Sequence, residues 1–265
     1  MKKHTDFQDK KSFFAYLKKN KDEIILLKKS SRKFTDPFGT TILQQRAVKA
    51  LNTNYQDDVM SGEIKRKIIG NTYNWMDSQD DVLLAGVFSK SISEKGNRIW
   101  HLHDHQYQID AKVGRPISIY EKLISWADLG IEKAGDTTAL FMESNIIKDW
   151  NAKIFSHYLK GEIDQHSVAL KYINIILAMN DENEKEAYAE FQKHIDKIGN
   201  KEKVLEQGYF FAVKEAELFE VSAVLDGSNE LTPTIQNEEE KEKTIEDTKQ
   251  KGISFANIAE KINLS

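Results

Sequence analysis

Short apolar or alternating runs, broken by Gly, Asn and Asp, restrict the fold of this 265-residue chain more than any other pattern. The first set, between about residues 68 and 107, contains IIGNTYNW, DVLLAGVF and NRIWHLHDH, and the second contains PISIY, TTALFMES, SVALKYINIILAM, YFFAVKEAELF and EVSAVLD. Runs of this kind, bounded by turn residues, are typical of β-strands. Helix-like runs near residues 144–159 and 183–197 interrupt them. The sequence therefore predicts an α+β fold with a strand-rich mixed or barrel-like sheet core, decorated with surface helices.

The pattern of apolar and charged residues along the chain predicts three regions. We expect residues 1–66 to be an N-terminal helical arm, because the segment from about residue 7 to residue 34 is rich in Lys and has apolar residues at roughly helical spacing. Residues 67–233 form the main domain, with a helical insertion at about 181–207 whose single apolar stripe suits a surface position. Residues 234–265 are a flexible linker, with too little apolar content to fold alone, and a short C-terminal amphipathic helix.

Composition excludes several classes of function. The chain has no cysteine, which removes disulfide scaffolds, zinc ribbons and cysteine nucleophiles. Its 38 basic and 42 acidic residues are interspersed, unlike the one-sided basic surface of a nucleic-acid binder. No apolar run reaches the ~18 residues of a membrane span, and the N-terminus lacks the features of a signal peptide. We therefore expect an intracellular protein that binds neither nucleic acid nor membrane.

Three histidines stand at alternate positions in the sequence HLHDH: His101, His103 and His105. Alternate residues of a strand project to the same face, so the pattern predicts three imidazoles on one surface. Neutral imidazole is a common ligand of transition metals, which makes a His-cluster metallohydrolase one interpretation. The spacing nevertheless differs by one residue from the His-x-His-x-Asp-His signature, because Asp104 directly follows His103. Half-exposed histidines on an edge strand are a further interpretation.

Ser167 differs from the other serines in its context. The segment GEIDQHSVALKY places it between a polar turn and a long apolar strand. A nucleophile needs such a place, fixed by a sheet and open to substrate. The sequence has neither a Gly-x-Ser-x-Gly elbow nor the usual Ser-x-x-Lys motif, so Ser167 is a candidate on context alone.

Three segments together resemble the prohead maturation proteases of tailed phages, a family similar in fold to the herpesvirus assemblins. The resemblance covers roughly residues 69–232. The first segment is similar to the family's pattern at Asp77, Ser78, Asp81, Val82, Gly86 and Phe88. The family's following strand, Ile-x-x-Leu-x-x-His with a later Gly, matches Ile99, Leu102, His105 and Gly114. The family often has Asp directly after the catalytic histidine. In this chain the dipeptide His103–Asp104 has that form, which favours His103 instead.

The second and third segments resemble the family's nucleophile and closing strands. Gly161, Ser167 and Val168 match the nucleophile strand, although Ala169 stands where the family usually has Gly. The closing strand, with its Glu-x-Ser core and later Asn and Pro, matches Glu220, Ser222, Asn229 and Pro233.

The resemblance implies a serine endopeptidase with an assemblin-like fold that uses neither cofactor nor metal. Ser167 would be the nucleophile, His105 the general base and Glu220 the third member, with His103 as the alternative base and His166 as the alternative third member. The implied substrates are the scaffold, the major capsid protein and the protease itself, inside assembling proheads in the host cytoplasm. A homo-oligomer is compatible with this interpretation. So is a catalytically inactive virion or capsid structural protein that keeps the protease fold.

We predict that the C-terminal stripe of Phe255, Ile258, Ala259 and Ile262 docks the protease into the assembling shell. Such a segment is too short to be a stable helix alone, but it can fold against a partner groove. A helix that packs back on its own domain is the alternative interpretation. Deleting residues 253–265 should leave cleavage of peptides unchanged and reduce the protease recovered in proheads. Unchanged recovery, measured by quantitative immunoblotting of purified proheads, would exclude the docking role.

Overall fold

The computed structural model describes residues 6–30 and 60–235 of the chain. The helices within those residues are α1 (Lys10–Lys19), α2 (Lys21–Ser30), α3 (Ser89–Lys95), α4 (Ala152–Leu159), α5 (Lys185–Ile195) and α6 (Lys201–Gln207). The strands are β1 (Glu63–Thr72), β2 (Asp81–Leu83), β3 (Trp100–His103), β4 (Lys112–Ser125), β5 (Asp136–Ile147), β6 (His166–Met179), β7 (Tyr209–Ala223) and β8 (Thr234–Ile235). No helix in these two stretches is long and apolar enough to cross a membrane.

The strands form one large mixed sheet. Its order is β2, β7, β3, β4, β5, β1, β8, with β6 paired to β7. Strand β7 runs antiparallel to β6 along one edge and parallel to the short strands β2 and β3 along the other. This arrangement confirms the predicted α+β class, with a large and mostly open mixed sheet and helices around it.

The core is built mainly on the long strands β6 and β7. Their inward side chains form a buried apolar cluster with β1, β5 and the N-terminal helices. The helices α5 and α6 lie between β6 and β7 in sequence, where the helical insertion at 181–207 is predicted. Phe191 of α5 packs on Phe210 of β7, with ring centroids 5.6 Å apart. The insertion therefore buries its apolar stripe against the sheet.

Some predicted boundaries are wrong. The helix expected near residues 144–159 begins only at Ala152, because residues 144–147 complete β5. Residues 144–146 pair with both β1 and β4, and Ile147 pairs with β1. The predicted boundary between residues 66 and 67 falls inside β1, whose pairing with β5 starts at Glu63. The predicted linker begins too early, since β8 at its start pairs with β1. The remainder of the linker and the C-terminal helix lie outside the described residues.

The N-terminal helices are fixed to the domain by a buried ion pair. Lys28 of α2 places its Nζ 2.7 Å from Oδ1 of Asp81, whose side chain is fully buried. The hydroxyl of Tyr172 donates to the other oxygen of the same carboxylate. The Lys28 ammonium also lies 4.4 Å from the centroid of the Phe211 ring. Asp81 thus has a structural partner for each of its oxygens.

We predict that Lys28→Met destabilises the protein by about 3–5 kcal/mol, because it leaves the Asp81 carboxylate buried without its cation. The free energy of unfolding in urea measures this loss. Lys19→Met, an exposed lysine of α1, is the matched control and should change stability by less than about 0.5 kcal/mol. An equal effect of the two substitutions would show that the ion pair does not hold the arm in place.

Candidate active site

The register of β7 with its neighbours assembles the candidate site. Ser167 of β6 lies directly opposite Ser222 of β7 in the antiparallel ladder, so their side chains share one face. Glu220 precedes Ser222 by two residues and therefore lies on the same face. On the other edge of β7, Leu102 of β3 pairs with Ser222, and Trp100 pairs with Glu220. One face of three neighbouring strands thus carries Ser167, Glu220 and Ser222.

A tight turn after β3 carries His105 to this face. The amide of Gln106 donates to the carbonyl of His103 at 3.1 Å, which closes a four-residue turn. Its two central residues, Asp104 and His105, have φ of 50° and 54°. Two consecutive positive values are characteristic of a type I′ turn, and Asp and His tolerate this region better than most residues. The amide of Asp104 also donates to the carbonyl of Ala223 at 2.9 Å, which ties the turn to the end of β7.

His105, Glu220 and Ser222 form a connected set of hydrogen bonds. Nδ1 of His105 lies 2.6 Å from Oε1 of Glu220, and the two side chains are 8% and 1% exposed. Since a carboxylate accepts, Nδ1 carries the proton of this hydrogen bond. The Ser222 hydroxyl donates to Oε2 of Glu220 at 2.5 Å and accepts from the backbone N–H of His105 at 3.1 Å. Each oxygen of the Glu220 carboxylate therefore has a hydrogen-bond partner.

The other two histidines of HLHDH point elsewhere, so the prediction of three imidazoles on one surface is wrong. His101 is fully buried on the opposite face of β3, and Nδ1 of His103 lies 3.0 Å from Oδ2 of its neighbour Asp104. Alternation fails because β3 ends at His103 and the following turn redirects His105. Among residues 6–30 and 60–235, no three His, Cys, Asp or Glu side chains are grouped as a metal ion would require. The contacts favour His105 over His103 as the partner of Glu220.

His166, the alternative third member, belongs to a buried chain of hydrogen bonds. Its Nδ1 lies 2.9 Å from the carbonyl oxygen of Thr232, and its Nε2 lies 2.8 Å from the hydroxyl of Tyr158. That hydroxyl also lies 3.0 Å from Nε2 of His101, whose Nδ1 is 3.0 Å from Oγ of Ser144. Both ring nitrogens of His166 are thus used on the face opposite Ser167. This placement favours Glu220 over His166 as the third member.

The direction of every bond in this chain follows from the one group that can only accept. The Thr232 carbonyl requires a proton on Nδ1 of His166, so Nε2 accepts the Tyr158 hydroxyl proton. The Tyr158 oxygen then accepts from Nε2–H of His101, and the Ser144 hydroxyl donates to Nδ1 of His101. These directions are those of neutral imidazoles, which burial favours. Burial, and then the proximity of His166, lowers the pKa of His101 to about 3, and burial lowers the pKa of His166 to about 4.

Two local features hold this buried chain in place. Asn151 caps α4, since its Oδ1 accepts from the amide of Ile154 at 3.1 Å, and α4 then buries Tyr158 against the sheet. Gly114 of β4 leaves room for the bond between His101 and Ser144, because a Cβ there would lie 2.4 Å from Oγ of Ser144. The glycine matched in the resemblance thus serves the buried face rather than the Ser167 face.

Sequence reasoning missed the role of Ser222. The residue was matched only as part of a Glu-x-Ser pattern, and its link between the carboxylate and the turn appears only in the structure. The signal in the sequence is the spacing of two, which places Glu220 and Ser222 on one face of a strand. The role of Tyr158 has no such signal, since it depends on how α4 packs.

Comparison of the chain with models of known protein families, with curated proteins and with solved structures finds no match. The arguments for a function therefore rest on the residues and contacts described above.

We predict that the protein loses stability as the pH falls below about 6.5. The unfolded chain binds protons on both histidines near that pH, whereas folded His166 and His101 bind them only near about pH 4 and about pH 3. The unfolded state binds more protons throughout this window, so each imidazole removes up to about 2 kcal/mol between pH 7 and pH 5. Urea unfolding at the two pH values measures the slope.

The comparison variants are His166→Gln and His157→Gln. Replacing His166 removes one buried titrating group and should reduce the slope, although the protein becomes less stable at pH 7. His157 is half exposed on α4, and its replacement should change the slope less than that of His166. A wild-type slope that persists in His166→Gln would contradict a buried neutral imidazole at this position.

Proposed function

We propose that this protein is a serine endopeptidase in which Ser167 is the nucleophile, His105 the general base and Glu220 the residue that orients the base. The observation that carries the proposal is the 2.6 Å contact between Nδ1 of His105 and the buried carboxylate of Glu220. Ser222 joins that pair, and the strand register sets Ser167 beside Ser222. A serine, an imidazole and a carboxylate from three separate segments thus share one region of the sheet, which supports the proposal of a hydrolytic triad.

The first half of the reaction forms an acyl-enzyme. Oγ of Ser167 attacks the carbonyl carbon of the scissile peptide bond, and its proton passes to Nε2 of His105. The imidazolium that forms is stabilised by the Glu220 carboxylate at Nδ1. The C–N bond then breaks, and the leaving amine takes the proton from Nε2. Glu220 keeps its negative charge throughout.

The second half releases the acid product. A water molecule gives a proton to Nε2 of His105 while its oxygen attacks the ester carbon, and Ser167 recovers its proton when the ester bond breaks. Each tetrahedral intermediate carries an oxyanion, for which we propose backbone amides at residues 167–169 as donors. Loss of one such donor typically costs ~3–4 kcal/mol of barrier.

The resemblance to prohead maturation proteases supports a specific setting for this activity. We propose that the substrates are scaffold and major capsid precursor proteins, and the protease itself, within assembling proheads in the host cytoplasm. The mixed sheet is compatible with an assemblin-like core, and the elements that carry Ser167, His105 and Glu220 are those of the three matched segments. Substrate binding and peptide chemistry of this kind need neither metal nor organic cofactor.

Two other interpretations lead to different observations. An inactive structural protein with the same fold would remain at full length and would leave Ser167 unreactive. A metallohydrolase would lose activity in a chelator and regain it with zinc or manganese.

We predict that Ser167→Ala abolishes proteolysis, by roughly 10⁶-fold, while the protein still folds, because only one oxygen is removed. Two measurements test this: the intact mass of the purified chain, which reveals self-processing, and mass spectrometry of a peptide library incubated with the protein. The wild type should also react at Ser167 with a fluorophosphonate. Cleavage by Ser167→Ala at the wild-type rate would exclude Ser167 as the nucleophile.

A series of variants separates the roles within the site. Glu220→Gln keeps the shape of the side chain but removes the charge that fixes the imidazole, and it should cost about 10⁴-fold. His105→Ala should cost far more than His103→Ala, because the His103 ring is bonded to Asp104 rather than to Glu220. Ser93→Ala, an exposed serine of α3, is the matched control for Ser167→Ala. Loss of proteolytic activity in EDTA, followed by its recovery when zinc is added, would contradict the serine mechanism.

A further inference from the structure

A cavity of about 330 Å³ lies between β3 and the segment that follows His105. We call it the aromatic pocket, and it is lined by Trp100, Leu102, Tyr107, Gln108, Ile109 and Lys112. We propose that the aromatic pocket binds one large apolar side chain of the polypeptide substrate, next to the scissile bond. This inference rests on the proposed endopeptidase function and adds a class of substrate to it.

The position of the pocket ties it to the catalytic residues. Leu102 and Trp100 are the β3 neighbours of Ser222 and Glu220, so their side chains lie on the Ser167 face of the sheet. Tyr107, which also lines the pocket, follows His105 by two residues. Ser167 itself is only 5% exposed, and the His105 side chain only 8%. A substrate held in the aromatic pocket would therefore lie at the margin of an otherwise nearly covered site.

Several large apolar side chains that line the pocket are exposed to solvent. Trp100 is 39% exposed, Tyr107 is 53% exposed and Ile109 is 80% exposed, and all three converge on the same cavity. Scattered exposed apolar residues need no explanation, but a concave group of them beside polar side chains is typical of a binding site. Gln108 adds an amide that is able to donate to, and accept from, a peptide backbone.

The positive charge of Lys112 limits which substrate side chains the pocket accepts. The Lys112 ammonium lies 5.7 Å from the centroid of the Trp100 ring and 4.7 Å from that of Trp150. Held by these rings, it places a positive charge at the wall and disfavours a Lys or Arg side chain in the cavity. The volume lies at the lower end of ligand-binding cavities, which suits a single Leu, Met or aromatic side chain.

The experiment maps cleavage sites in a proteome-derived peptide library by mass spectrometry, with full-length wild type, Ile109→Glu and Leu123→Glu. The wild type should cut bonds that share a large apolar residue at one fixed position within three residues of the cut, with Lys and Arg depleted there. Ile109→Glu places a carboxylate at the mouth of the pocket and should lower cleavage of these peptides by about tenfold or more. Leu123→Glu changes another exposed apolar residue, which lies on β4 outside the pocket, and should behave as the wild type.

Reaction of Ser167 with a fluorophosphonate, which carries no peptide side chain, separates the two proposals. Loss of library cleavage in Ile109→Glu should exceed any loss of labelling rate. If wild-type Ser167 is labelled but the cuts share no apolar position, or if Ile109→Glu and Leu123→Glu cut alike, the subsite is overturned and the endopeptidase stands. Unlabelled Ser167 in the wild type overturns the endopeptidase itself. If Ile109→Glu instead converts a dimer to a monomer by light scattering and leaves the cut positions unchanged, the pocket is a contact between copies of the chain.

Discussion

Pairing of β7 along both of its edges is the constraint on which the candidate site depends. Its antiparallel ladder with β6 fixes which residue of β6 faces Ser222, and its parallel ladder with β3 fixes where the chain turns after His103. A slip of one residue in either ladder would move Ser167 or the turn to the wrong face, because strand side chains alternate. The long apolar faces of β6 and β7 make such a slip costly, since it would expose the core. The hydrophobic core thus determines the geometry of a polar site.

The same sheet gives its histidines two different environments. On the buried face, His101 and His166 are neutral, and each uses both ring nitrogens in fixed hydrogen bonds. On the other face, Nδ1 of His105 bonds to the carboxylate of Glu220. The buried pair therefore ties the strands together, whereas His105 and Glu220 are the pair on which the proposed proton transfer depends. Sequence position alone does not separate these roles, since His166 is adjacent to Ser167.

How much of this was predictable can be judged from particular residues. The α+β class and the insertion before β7 follow from local patterns, which report on nearby residues. The pairing of His105 with Glu220 was expected only through the resemblance, since 115 residues separate them in sequence. The alternation of His101, His103 and His105 misled because it assumes an extended chain, and the positive φ of Asp104 and His105 ends that regularity. Asp104, the first of the two central residues of the turn, is of a type that favours turns and was therefore a weak local sign that the strand ends there.

The segment from His103 to Lys112 joins recognition to chemistry in the proposed enzyme. It begins with the turn that holds the base, continues through Tyr107 and Ile109 of the aromatic pocket, and ends where β4 pairs with β3. The start of the segment is fixed to β7 by two hydrogen bonds. The amide of Asp104 donates to the carbonyl of Ala223, and the amide of His105 donates to the hydroxyl of Ser222. A side chain that fills the pocket therefore packs against the same short segment that positions the imidazole. Binding energy gained in the pocket is then available to order the base, and substrates that leave the pocket empty lose rate as well as affinity.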